Sequence, residues 1–150
     1  MSGSAAGTHL QRQVLNGLNV QRELAEFATW LNKKGRPFET LSPGCSKCSD
    51  KEKNTVIIPL LKELGFDHED PKLRFNVFRI RTSSYINPGS GPGGYLIPIQ
   101  REPDTSELPS ISNPPKSLEG PTQLVVGERV YFNRNVLVRS DFDCVVVTID

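Results

Sequence analysis

The stretch Leu73-Arg-Phe-Asn-Val-Phe-Arg-Ile80 decides the fold, because the hydrophobic period of the chain changes there. Before it, as far as Gly65, apolar residues recur every three or four positions; from Leu73 they recur every second one. Leu73, Phe75 and Val77 alternate with Arg74 and Asn76, and then Phe78 and Ile80 alternate with Arg79 and Arg81. A period of two puts successive side chains on opposite faces of a strand. The one-residue phase change between Val77 and Phe78 fits a β-bulge. The stretch therefore reads as a strand with one apolar face and one basic face.

Towards the amino terminus the pattern is helical. From about residue 8 to residue 34, Val14, Leu18, Leu24, Phe27, Ala28 and Leu31 recur at helical spacing among Gln, Arg, Glu and Asn. Gly17 weakens this helix, and Gly35-Arg36-Pro37 stops it. Residues 39–50, ETLSPGCSKCSD, read as turns. Ser49 and Glu52 have capping-box spacing, so a second helix starts near Asp50. Pro59 kinks or restarts it, Ile57, Leu60, Leu61 and Leu64 form its buried face, and Gly65 suits the left-handed position that ends it.

Towards the carboxyl terminus short strands follow. Residues 87–94, NPGSGPGG, are a loop, and 94–100 form a short strand that Pro98 assigns to a sheet edge. Residues 101–121 hold five prolines and read as an extended excursion. Strand patterns return at 123–126, 129–132, 136–139 and 144–149. The expected fold is α+β: two amino-terminal helices packed on a mostly antiparallel or mixed sheet of five to six strands, with a long Pro-rich loop. Residues 1–7 are a flexible leader, and 8–150 are one domain.

The 150 residues suffice for one core without disulfide or metal support. Eighteen basic and seventeen acidic side chains nearly cancel, which argues against a dedicated polyanion binder but leaves room for a local basic face. No apolar run approaches the roughly 20 residues that span a bilayer, so no membrane partner is expected. Three cysteines cannot pair without an orphan, which points to a reducing, intracellular compartment.

Few residues carry chemistry. Cys45 and Cys48 have zinc-knuckle spacing, and His68 and Cys144 are the available further ligands. The glycine-rich loop lacks the lysine and following helix that hold phosphate. The two histidines support no Ser-His-Asp triad. Arg74, Arg79 and Arg81, interleaved with aromatic residues, can track a phosphate backbone. Asp141 and Asp143, two apart at the start of a strand, point to one side and can hold a divalent metal through oxygen.

Leu60-Leu61, Leu64-Gly65-Phe66-Asp67 and Glu69-Asp70-Pro71, within residues 53–77, resemble the entry to the amino-terminal nuclease domain of type I restriction enzyme motor subunits. Asp141 or Asp143, followed by Cys144-Val145-Val146, resembles that family's metal-binding aspartate strand. The resemblance implies a restriction-like nuclease core, and no Glu-x-Lys follows Asp143 to complete its active site. Two functions follow as expectations. One is a nucleic-acid-associated module with an incomplete nuclease-like core and no cleavage activity of its own. The other is a non-enzymatic domain that binds a protein partner through exposed strands or the Pro-rich segment.

Overall fold

Val77 and Ile80 are both fully buried, on opposite faces of one strand, and this fact overturns the expected single sheet. The computed structural model describes residues 10–89, 91–101, 108–112 and 122–149. The leader and most of the excursion lie outside the described residues.

Among the described residues the eleven strands are β1 (Leu10–Val14), β2 (Phe38–Ser42), β3 (Cys45–Cys48), β4 (Leu73–Ile80), β5 (Ser84–Ile86), β6 (Gly94–Arg101), β7 (Ser110–Ser112), β8 (Thr122–Gln123), β9 (Glu128–Phe132), β10 (Val136–Arg139) and β11 (Phe142–Ile149). The three helices among the same residues are α1 (Leu18–Leu31), α2 (Lys53–Val56) and α3 (Ile58–Glu63). A seven-stranded sheet runs β1-β9-β6-β11-β4-β3-β2, and a four-stranded sheet runs β5-β10-β7-β8. Neighbouring strands pair antiparallel throughout.

Two cores make three layers. α1 buries Val20, Leu24, Phe27 and Leu31 at helical spacing against Val77, Ile97, Ile99, Val145 and Val147 of the large sheet. The opposite face of that sheet, with Ile80, Leu96, Val130, Phe132, Cys144 and Val146, packs on Ile86, Ile111, Val136 and Val138 of the small sheet. Each fully buried branched or aromatic side chain contributes about 1.5–3 kcal/mol from burial.

The expected architecture is thus corrected on three points. A strand precedes the first helix, the β2–β3 hairpin separates the helices, and the strands form two sheets instead of one of five to six strands. The physical reason is that a central strand covered on both faces carries apolar residues on both, so its alternation misleads. β4 has no bulge: its register with β11 runs unbroken from Leu73 opposite Ile149 to Ile80 opposite Phe142.

The bulge lies on β6 instead. Gln100 faces Asp143 and Pro98 faces Cys144, so Ile99 is the extra residue. There Pro98 sits in an interior strand, between β9 and β11, because the pairing with β9 is confined to 94–96. A bulge tolerates the missing amide.

Local signals fared better around the helices. Pro59 restarts the helix at α3, within its first turn. Gly65, at φ 87°, closes it: Phe66 N–H donates to Leu61 O and Gly65 N–H to Lys62 O. Ser49 does not cap the entry: Glu52 is the N-cap without a side-chain cap bond, and ahead of it the Asp50 carboxylate accepts from Glu52 N–H at 2.9 Å in a turn. Arg36 closes the far end of α1. Its guanidinium donates to Trp30 O at 2.8 Å, stacks 3.6 Å over the Trp30 ring and meets Asp50 at 2.7 Å.

Candidate functional site

Along the inward face of β4 the side chains change character: Ile80 is fully buried, while Phe78 and Asn76 emerge from under the small sheet. The paired positions on β11 change in step. Cys144 faces Phe78, Val146 faces Asn76, and Thr148 lies beyond. The four-stranded sheet covers only the Ile80 end, so the sandwich gapes at the Asn76 end.

The gap is a cleft of about 700 Å³. Its floor is Asn76, Phe78, Val146 and Thr148; one wall is Ser84, Tyr85 and Ile86 of β5, continuing into Asn87-Pro88-Gly89. The other wall is Leu41-Ser42-Pro43, the tip of the β2–β3 hairpin. Gly44 fixes that tip. At φ 80° it adopts a conformation that suits glycine, and an added Cβ there would collide with the Thr82 side chain. Asn87 Oδ1 accepts from Gly89 N–H at 2.7 Å, which fixes the entrance loop. Among the described residues no hydrogen bond engages the side chains of Asn76, Ser84 or Thr148. The lining contains no Asp, Glu, His, Lys or Arg.

Of the candidate site residues the sequence singled out, only Cys45 lines the cleft; among the described residues the fold places the others outside it. Arg79, Arg81, Asp141 and Asp143 do come together, on the opposite, helix-covered side of the large sheet or at its end. Asp143, 3% exposed, accepts from Arg79 Nε at 3.1 Å and Nη2 at 3.2 Å, and from Gln100 Nε2 at 2.8 Å. Gln100 and Asn32 exchange two further hydrogen bonds, which tie the end of α1 to the sheet. Arg79 lies 4.0 Å over the Phe38 ring. Arg81 stands 3.9 Å from both Asp141 and Asp143. Arg74 donates to Pro71 O at 2.7 Å.

This arrangement does not fit a divalent metal. Both oxygens of Asp143 are already occupied by donors, and the nearest charges are guanidinium groups. The zinc ligands are dispersed as well. Residues three apart on a strand face opposite ways, so Cys45 enters the core between the sheets and Cys48 the core under the helices. His68 stands in the loop after α3, 3.9 Å from Glu69. Among the described residues no three of His, Cys, Asp and Glu are grouped to hold a metal. Burial pushes the Cys144 thiol well up, and the neighbouring Asp143 carboxylate and Cys45 add to the shift.

The sequence reading missed the cleft because its lining consists of serine, asparagine, threonine and apolar residues, which carry no motif. Asn76 belongs with Arg74 to the polar set of the β4 alternation, so nothing in the sequence set it apart.

No family model matches the chain. No curated protein sequence matches it either. Among solved structures, a variant of salicylate 1,2-dioxygenase from Pseudoaminobacter salicylatoxidans is similar, with a TM-score of 0.42 and 13% identity. The likeness covers 89% of this chain and 33% of that one, so the chain spans about a third of its length. No helix among the described residues is long and apolar enough to cross a membrane.

Proposed function

We propose that this chain is a binding module whose cleft between the two sheets takes a small uncharged ligand. The observation that carries the reading is the lining itself. Unengaged hydroxyl and amide groups of Asn76, Ser84 and Thr148 stand among apolar side chains, with no ionised side chain in the lining. A volume near 700 Å³ lies in the usual range for ligand sites, about 300–1,000 Å³. Such a lining orients a ligand by hydrogen bonds and offers no general acid or base in the neutral pH range.

The nucleic-acid reading draws less support from the geometry. Two of its three arginines, Arg79 and Arg81, lie beside buried or half-buried aspartates, and phosphate would have to displace those carboxylates.

Titration of the full chain with a library of neutral fragments, followed by amide chemical shifts, tests the proposal. Fragment hits are expected to perturb residues 76, 84–89 and 146–148, and to be lost in Asn76→Trp, which fills the cleft from an exposed position. Hits scattered over the surface and indifferent to Asn76→Trp would refute it.

A further inference from the structure

Resting on that reading, we infer that the ligand is an uncharged extended peptide, which adds as a strand to the free edge of β5 in the cleft. The orientation of β5 carries the inference. Ser84 and Ile86 are buried and turn their side chains into the sandwich, whereas Tyr85 between them is 69% exposed and turns outward. All three nevertheless border the cleft, together with residues 83 and 87–89. Neighbours with opposite side-chain directions border one cavity where the strand shows it a backbone edge. That edge is open: β5 is an outermost strand of the small sheet and pairs with β10 alone. Beyond that ladder, no hydrogen bond engages the backbone of residues 84–86 among the described residues.

In an antiparallel pair alternate residues turn N–H and C=O towards the partner strand, and the intervening ones turn theirs the other way. The β5 groups turned away from β10 are therefore donors and acceptors set at the spacing of another peptide backbone. An extended peptide satisfies them by strand addition, and the three residues of β5 match about 10 Å of it. The rest of the cleft selects the side chains. Those turned inward meet the apolar Phe78 and Val146 and the amide and hydroxyl of Asn76 and Thr148. An ionised side chain would lose hydration and find no counter-charge, since the lining holds none. Valine and threonine suit it. The far wall is the end of β2, an outermost strand of the large sheet, so the peptide lies in the open side of the sandwich between two sheet edges.

The experiment titrates the labelled full chain with three probes. These are the peptide acetyl-Thr-Val-Thr-Val-Thr-amide, the same peptide N-methylated at every residue, and its counterpart with glutamate in place of threonine. The first is expected to shift the amides of residues 76, 84–89 and 146–148, and to slow hydrogen exchange of at least one amide among 84–86. N-methylation removes the donors of an added strand and is expected to weaken binding roughly tenfold or more, the size of two backbone hydrogen bonds. Glutamate is expected to weaken it as well. Peptide binding that survives N-methylation unchanged, or leaves exchange at 84–86 unaltered, overturns strand addition. Equal binding of the glutamate peptide overturns the uncharged class. Neutral fragments that bind the cleft where the peptide does not overturn the inference and leave the neutral cleft standing. No cleft shift with fragments or peptides overturns both. A dimeric mass of the free chain, with every amide of 84–86 already protected, puts a second copy on the edge and overturns the peptide partner.

Discussion

Asp143→Asn separates two views of the arginines on β4. Asp143 receives Arg79 Nε at 3.1 Å and Nη2 at 3.2 Å, and Gln100 at 2.8 Å. Asparagine keeps the shape and one carbonyl oxygen but removes the charge that both arginine bonds depend on. Each hydrogen bond to a charged partner is worth about 1.5–3 kcal/mol. Breaking a fully buried pair costs about 3–5 kcal/mol, because the remaining charge is stranded. The Arg79 side chain is about a quarter exposed, so water recovers part of its solvation. The expected loss is therefore about 2–3 kcal/mol, or a fall in Tm of roughly 4–12 °C for a chain of this size.

Denaturant unfolding of Asp143→Asn, Arg79→Met and the double variant closes a cycle, and methionine keeps an apolar stem against Phe38. The coupling between the sites should be at least about 1.5 kcal/mol. If Arg79 were kept for an outside phosphate, the two substitutions would add independently. A coupling below about 0.5 kcal/mol would refute the assignment of Arg79 to Asp143.

Ile111 is fully buried on β7, so Ile111→Ala should cost about 2–4 kcal/mol in denaturant unfolding; a loss under about 0.5 kcal/mol would detach β7 from the core. Asp50 is held below its ordinary 3.8, first by the Glu52 N–H and then by Arg36. A lowered folded-state value means that the unfolded chain binds more protons, so this stabilisation is present above pH 3.8 and fades as pH falls through the folded value. Asp50→Asn should flatten that acid limb of the stability curve, and an unchanged slope below pH 4 would count against it. All three cysteines are buried, and the Cys144 thiol is the one pushed well up. Iodoacetamide at neutral pH should modify Cys144 at least about a thousandfold more slowly in the folded chain than in denaturant, as read by mass spectrometry. Ready modification of the folded chain would contradict its burial.

The parts that the sequence discloses are those governed by neighbours along the chain. Pro59, Gly65 and the spacing of Leu24, Phe27 and Leu31 act within a turn or two, and the helices follow them. Cys45–Cys48 is the opposite case. It reads as turn chemistry because serine, lysine and cysteine have no strong strand preference, and it becomes a strand by pairing with Phe38–Ser42 and β4. Val14 and Leu18 fit the helical stripe on paper, yet both are exposed, Val14 in β1 and Leu18 at the first position of α1. The two-sheet division depends on Val77 and Ile80 finding different covers, and those covers lie tens of residues away. The cleft is a void between distant elements, so no pattern along the chain marks it.

The place of β11 governs when this fold can form. It is the last described strand, yet it lies in the middle of the seven-stranded sheet, hydrogen-bonded along its length to β4 on one side and β6 on the other. A ribosome delivering the chain has therefore released all three described helices and ten described strands before the strand that joins the two halves of the sheet emerges. Until then the edges of β4 and β6 that await it are bare, and such unpaired edges invite pairing with other chains. β1 adds a second delay, since its partner β9 lies more than a hundred residues further on. Contacts so distant in sequence place the domain among slow folders, with refolding in the range of milliseconds to seconds, and its vulnerable interval ends only once residue 149 has cleared the exit tunnel.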